Sequence, residues 1–136
     1  MRSFHDRITA LRCGEILCAA SENGFLQKDT TSFIVHDLAK MRERIAALHQ
    51  AFPDGTLHAL AIKANPLIEV LRAGVRCGMG LEAASMEEVH LALAAGCSPN
   101  RIVYDSPAKT CGEIREALDF GILLNANSFD ELDRIE

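Results

Sequence analysis

Residues 79–96 read MGLEAASMEEVHLALAAG, and residues 101–121 read RIVYDSPAKTCGEIREALDFG. Both run in one order: an apolar segment, a polar loop, a Ser or Thr, a Glu three residues on, a helical run, a glycine. Ser85 with Glu88, and Thr110 with Glu113, form the capping-box pattern that opens a helix. Gly96 and Gly121 supply the stop. Residues 79–83 and 101–104 are therefore predicted strands, and 86–95 and 111–120 predicted helices.

The same order continues on both sides. Residues 57–62 are almost wholly apolar, as a strand buried on both faces should be. Asn65 is read as the cap of the next helix and Pro66 as its first residue. That helix turns Leu67, Val70 and Leu71 inward and ends near Gly78. Downstream, 122–125 is a fourth strand, and Ser128 with Glu131 opens a helix that the chain end cuts short. Four strand–helix units from residue 57 make a βαβ series with a parallel sheet. Sequential strand order would curl toward a barrel, and a changed order would give a doubly wound sheet. The pattern alone leaves both open.

Upstream the text is less regular. Residues 6–21 suit a short helix with Ile8, Leu11, Ile16 and Leu17 as its apolar residues, and 22–32 a polar loop. Residues 32–36 read as a strand. A helix follows, with Leu38, Met41, Ile45, Leu48 and Phe52 on one face, Asp37 as N-cap, and Pro53-Asp-Gly55 as its terminating turn. The expected organisation is an extension over 1–28, a strand and helix over 29–56, and the first half of a barrel over 57–136.

Composition narrows the function. The 136 residues are 49% hydrophobic and 24% charged, which suits a globular α/β chain. A whole eight-unit barrel needs ~250 residues. A net charge of -5, from 14 basic and 19 acidic residues, argues against a nucleic-acid partner. No apolar run approaches the ~20 residues of a membrane span. Asp6 and Arg7 interrupt the N-terminus too early for a signal peptide. The five cysteines are odd in number, without CxxC or zinc spacing, so reduced thiols and a cytoplasmic protein are expected. His5, His49 and His90 form no metal constellation, and no metal site is expected.

In either fold, chemistry sits at the C-terminal ends of the strands. Lys63 ends an apolar strand there. Low-dielectric packing beside it would make the amine a Schiff-base nucleophile. The plainer alternative is a lysine that snorkels or pairs with Glu82. Glu82 ends the second strand beside it, either tuning the lysine or making a structural ion pair. Ser85 is a helix cap. Asn65, Ser106 and Asn125 are polar rim residues that either touch a ligand or close a loop. Lys109 is expected to be a solvated surface lysine, and His36 and His58 to be structural strand histidines.

Residues 59–66, ALAIKANP, resemble the cofactor-lysine motif of the alanine-racemase-like, fold-type III pyridoxal-phosphate enzymes. The closer likeness is to the diaminopimelate, ornithine and arginine decarboxylase branch. Residues 80–88, GLEAASMEE, resemble its Gly-Phe-Asp-x-Ala-Ser-x-x-Glu segment. Residues 101–110, RIVYDSPAKT, resemble its third-strand segment, and 121–132, GILLNANSFDEL, its fourth. The likeness covers about residues 30–136.

The resemblance implies the N-terminal portion of a (β/α)8 TIM barrel, with pyridoxal 5'-phosphate held as an internal aldimine on Lys63. It implies cofactor contacts from Glu82, Ser106 and Asn125, and decarboxylation of a basic or diamino L- or meso-amino acid by a full-length homodimer. An amino-acid racemase, or a non-enzymatic pyridoxal-phosphate-binding barrel, is the alternative of the same fold. Leu60 replaces the family's usual aromatic, Glu82 the commoner Asp, and Thr30-Thr-Ser32 the familiar Gly-Thr-Pro. The family's ring-stacking histidine, glycine-rich phosphate loop and pyridine-pairing acid lie on later strands. The sequence is therefore expected to be about half a barrel, a piece of something longer and inactive alone.

Overall fold

A computed structural model describes residues 8–136. His5, Asp6, Arg7 and the start of the predicted 6–21 helix lie outside the described residues. The chain divides into two compact units, Met1–Val35 and His36–Glu136. In the first, helix α1 (Ala10–Glu22) opens on Thr9, whose hydroxyl accepts from the Arg12 amide at 3.2 Å.

The second unit begins with α2 (Leu38–Ala51), where the Asp37 carboxylate accepts from the Lys40 amide at 3.0 Å. There follow β1 (Ala59–Ala61), a 3-10 turn (Ile62–Ala64), α3 (Ile68–Arg76), β2 (Gly80–Ala83) and α4 (Met86–Ala94). The chain continues through β3 (Ile102–Tyr104), α5 (Cys111–Phe120), β4 (Leu123–Leu124) and α6 (Phe129–Ile135). The strands form one sheet in the order β1-β2-β3-β4, and every pairing is parallel. That sequential order is a barrel's and not a doubly wound sheet's, which settles the choice the pattern left open.

Alternation along the strands sorts the side chains. Leu81, Ala83, Ile102 and Tyr104 are fully buried, packed with Leu71, Val89, Ala92 and Ala117 from α3, α4 and α5. Ala61, Glu82 and Val103, paired across the sheet, lie on the opposite face. Gly80 is required by proximity: a Cβ there would collide with the Arg101 carbonyl oxygen. Gly121 takes φ +75° to close α5.

Two expectations are corrected. Residues 32–36 form no strand. Phe33, Ile34 and Val35 favour extended backbone, but that preference becomes a strand only beside a partner offering its hydrogen-bonding groups. The Leu38 amide instead bonds the His36 carbonyl at 3.1 Å and turns the chain into α2. Asn65 and Pro66 do not start α3, whose N-cap is Leu67. Proline disfavours helical backbone in the residue before it, and Asn65 is extended at φ -161°, ψ 96°. Its side-chain oxygen accepts from the Leu67 amide at 3.2 Å, closing a local turn.

The core carries a direct test. Leu81 is fully buried and Leu118 is 46% exposed. Leu81→Ala should lower unfolding free energy by about 2–5 kcal/mol, while Leu118→Ala should change it by less than about 0.5 kcal/mol. Urea titration followed by circular dichroism measures both.

Candidate functional site

The loops after β1, β2, β3 and β4 meet at one rim, because parallel strands present all their C-terminal ends on the same side. Register pairs Ala61 with Glu82. Lys63, two residues beyond Ala61, therefore reaches over the end of β2. Its Nζ lies 3.6 Å from Glu82 Oε1. This separation is an ion contact, longer than a hydrogen bond.

The two side chains differ in setting. Lys63 is 65% exposed and Glu82 18% exposed. The sequence extended the apolar strand to Ile62 and placed Lys63 at its end, beside low-dielectric packing and facing the rim. Instead β1 stops at Ala61, and the 3-10 turn, closed by the Asn65 amide on the Ile62 carbonyl, carries Lys63 into solvent. Glu82 Oε1 is buried and accepts no hydrogen bond. An ion pair with so exposed a lysine adds little to stability, and a buried acceptor without a donor costs about 1–3 kcal/mol. Folding stability therefore does not account for this carboxylate. An accessible primary amine beside a carboxylate oxygen with spare acceptor capacity suits a carbonyl-bearing cofactor.

Ser106 and Asn125 belong to a second group. Ser106 is buried on the loop after β3, and its hydroxyl accepts from the Ala108 amide at 3.4 Å. Asn125 follows β4, and its amide donates to the Tyr104 carbonyl at 3.1 Å. They are joined through Lys109, which sequence reading placed on the surface. That reading is corrected: the Lys109 side chain is fully buried. Its ammonium donates to the Ser106 carbonyl at 2.6 Å, the Asn125 carbonyl at 2.7 Å and the Glu131 carboxylate at 3.1 Å. It also stands 5.5 Å from the centre of the Tyr104 ring. Sequence spacing showed only a lysine before a helix cap; two of its three acceptors, Asn125 and Glu131, lie on another loop and another helix.

The three capping pairs also divide. Thr110 and Glu113 make the full reciprocal box. Ser85 and Ser128 accept from the Glu88 and Glu131 amides, but those two carboxylates reach one residue further back, to the Ala84 and Asn127 amides, each at 2.7 Å. The Asn127 amide, with the Lys109 ammonium, outweighs burial and holds the Glu131 carboxyl below the usual carboxylate range. Burial, with the Glu113 carboxylate, pushes the Tyr104 phenol up.

His36 and His58 lie off the strands. His36 shares a 3.2 Å contact with Asn65, and His58 packs edge-on against His49 and Phe52. Among the described residues no cluster of His, Cys, Asp and Glu could hold a metal ion. No helix among them is long and apolar enough to cross a membrane.

The geometry so far is a parallel sheet in barrel order with a lysine and a carboxylate facing each other at its rim. Residues 38–136 match the pyridoxal binding domain of the pyridoxal-dependent decarboxylases, and the chain belongs to that family. Its cofactor is pyridoxal phosphate, and its fold is the N-terminal portion of the family's barrel. The chain is 35% identical over 108 residues to diaminopimelate decarboxylase from Helicobacter pylori, covering 78% of this chain and 27% of that protein. It is 34% identical over 107 residues to ornithine decarboxylase from Schizosaccharomyces pombe, covering 79% and 24%. The crystal structure of Helicobacter pylori diaminopimelate decarboxylase complexed with L-lysine superposes with a TM-score of 0.73 at 34% identity, covering 85% of this chain and 30% of that one. The chain thus spans about a quarter of the length of these curated relatives.

Acid should expose the Glu131 contribution. A carboxyl whose folded pKa is lowered stabilises above its unfolded pKa, and that stability fades as pH falls through the folded value. Thermal melts from pH 7 to below pH 4 should show the wild-type midpoint falling toward that of Glu131→Gln. A constant gap between the two would contradict the assignment.

Proposed function

We propose that this chain is the lysine-bearing part of a pyridoxal-phosphate-dependent amino-acid decarboxylase, and that Lys63 is the residue that binds the cofactor. The observation that carries the reading is the Lys63–Glu82 contact of 3.6 Å at the rim of a parallel sheet in barrel order. Membership of the decarboxylase family supports it. Held there, pyridoxal phosphate would supply the electron sink that a decarboxylation at Cα needs.

The chain's own residues do the rest at this rim. Lys63 Nζ is reachable from solvent, so an aldehyde can approach it without opening the core. Glu82 Oε1 orients the amine and is fixed from below, because Leu81 and Ala83 on either side are fully buried. Ser106 and Asn125 contribute pocket wall from the next two loops. The relatives named for diaminopimelate and ornithine decarboxylation support a basic or diamino amino acid as substrate. Family resemblance supports a homodimer for the whole protein.

Mixing the protein with pyridoxal phosphate should produce a visible absorbance band that borohydride bleaches. Peptide mapping should then find cofactor mass on Lys63. Lys63→Ala should lose both signals; cofactor fixed equally well to the variant would remove Lys63 from its role. Glu82→Gln should keep the adduct but weaken cofactor binding by about tenfold, equivalent to ~1.4 kcal/mol, as read by absorbance titration.

A further inference from the structure

Lys109 is built in more tightly than a structural lysine requires. Its ammonium has three N–H groups. Ser106 O, Asn125 O and the Glu131 carboxylate use all three, with no side-chain exposure. The acceptors are tied in turn. The Asn127 side-chain amide donates to Ser106 O at 2.5 Å, the Asn127 backbone amide to Glu131 Oε2 at 2.7 Å, and Arg134 to the Lys109 carbonyl at 2.8 Å. The network thus spans the loop after β3, the loop after β4 and the first turn of α6.

Stability is a poor reason for such a device. Replacing a buried ion pair with apolar side chains of similar volume is often neutral or stabilising, because both charges must be desolvated. Apolar packing cannot do one thing this network does, which is to hold two backbone carbonyls from different loops at fixed distances from one atom. Those carbonyls belong to Ser106 and Asn125, the two residues placed on the pocket wall.

We propose that Lys109 is a positioning residue: its buried ammonium locks the loops after β3 and β4 together and so sets the wall of the cofactor pocket. The proposal rests on the cofactor reading above. Lys109 itself touches no cofactor in this scheme.

The double variant Lys109→Met/Glu131→Gln removes both charges at nearly constant volume. At temperatures well below its melting midpoint it should show faster amide hydrogen exchange over residues 105–110 and 125–128, and at least tenfold weaker pyridoxal phosphate binding. Asn127→Ala, on an exposed residue, removes one tie to Ser106 O and should shift both readouts the same way by less. It also serves if the double variant does not fold. Lys63→Ala should leave loop exchange unchanged. Wild-type cofactor affinity in a folded double variant, or in Asn127→Ala should the double variant not fold, would overturn the proposal. A wild-type protein that binds no pyridoxal phosphate would overturn the cofactor reading instead, and unchanged loop exchange in the variants would then overturn the lock as well.

Discussion

Parallel pairing is the constraint on which the rest of this structure depends. A hairpin cannot join two parallel strands, so each connection must travel the length of the sheet and return. α3, α4 and α5 make those returns between β1, β2, β3 and β4. Every strand then ends on the same rim. Lys63 and Glu82, far apart in sequence, become neighbours because β1 and β2 are adjacent, parallel and in register. A sheet that placed another strand between β1 and β2 would separate them.

The same register divides architecture from chemistry. Leu81 and Ala83 point into the core with Ile62, Ile102 and Tyr104, while Glu82 between them points to the other face. A slip of one residue would exchange these faces and place a carboxylate among fully buried apolar side chains. The hydrophobic core thus enforces the position of Glu82. Its unbonded oxygen is held toward Lys63 by the burial of its neighbours, with no hydrogen bond of its own.

Features that depend on neighbours in sequence were legible. The Asp37, Ser85, Thr110 and Ser128 caps each act across three residues, and all four hydroxyls or carboxylates accept the expected amide. Helix α5 begins and ends where Thr110 and Gly121 place it. The four barrel strands and the Lys63–Glu82 neighbourhood followed from the same repeat. Features that depend on distant partners were not legible. Phe33, Ile34 and Val35 look like a strand from composition, yet no partner strand among the described residues receives them. Lys109 looks like a surface residue from its loop, yet its acceptors come from Asn125 and Glu131. Hydrophobic periodicity reports the core, but it is silent on which buried carbonyls need a donor.

The two rim lysines show how one residue type serves opposite ends. Lys109 has every N–H engaged and no exposed surface, so its amine has neither the freedom nor the access to meet an aldehyde. Lys63 has one ion contact, at a distance too long for a hydrogen bond, and most of its side chain in solvent. Of these two lysines, only Lys63 is open to a carbonyl compound entering the rim, and the hydrogen bonds that withdraw Lys109 contribute to that difference as much as the exposure of Lys63. The buried network and the exposed lysine are two parts of one rim, in which the Lys109 ammonium is fully bonded and the Lys63 ammonium stays open to solvent.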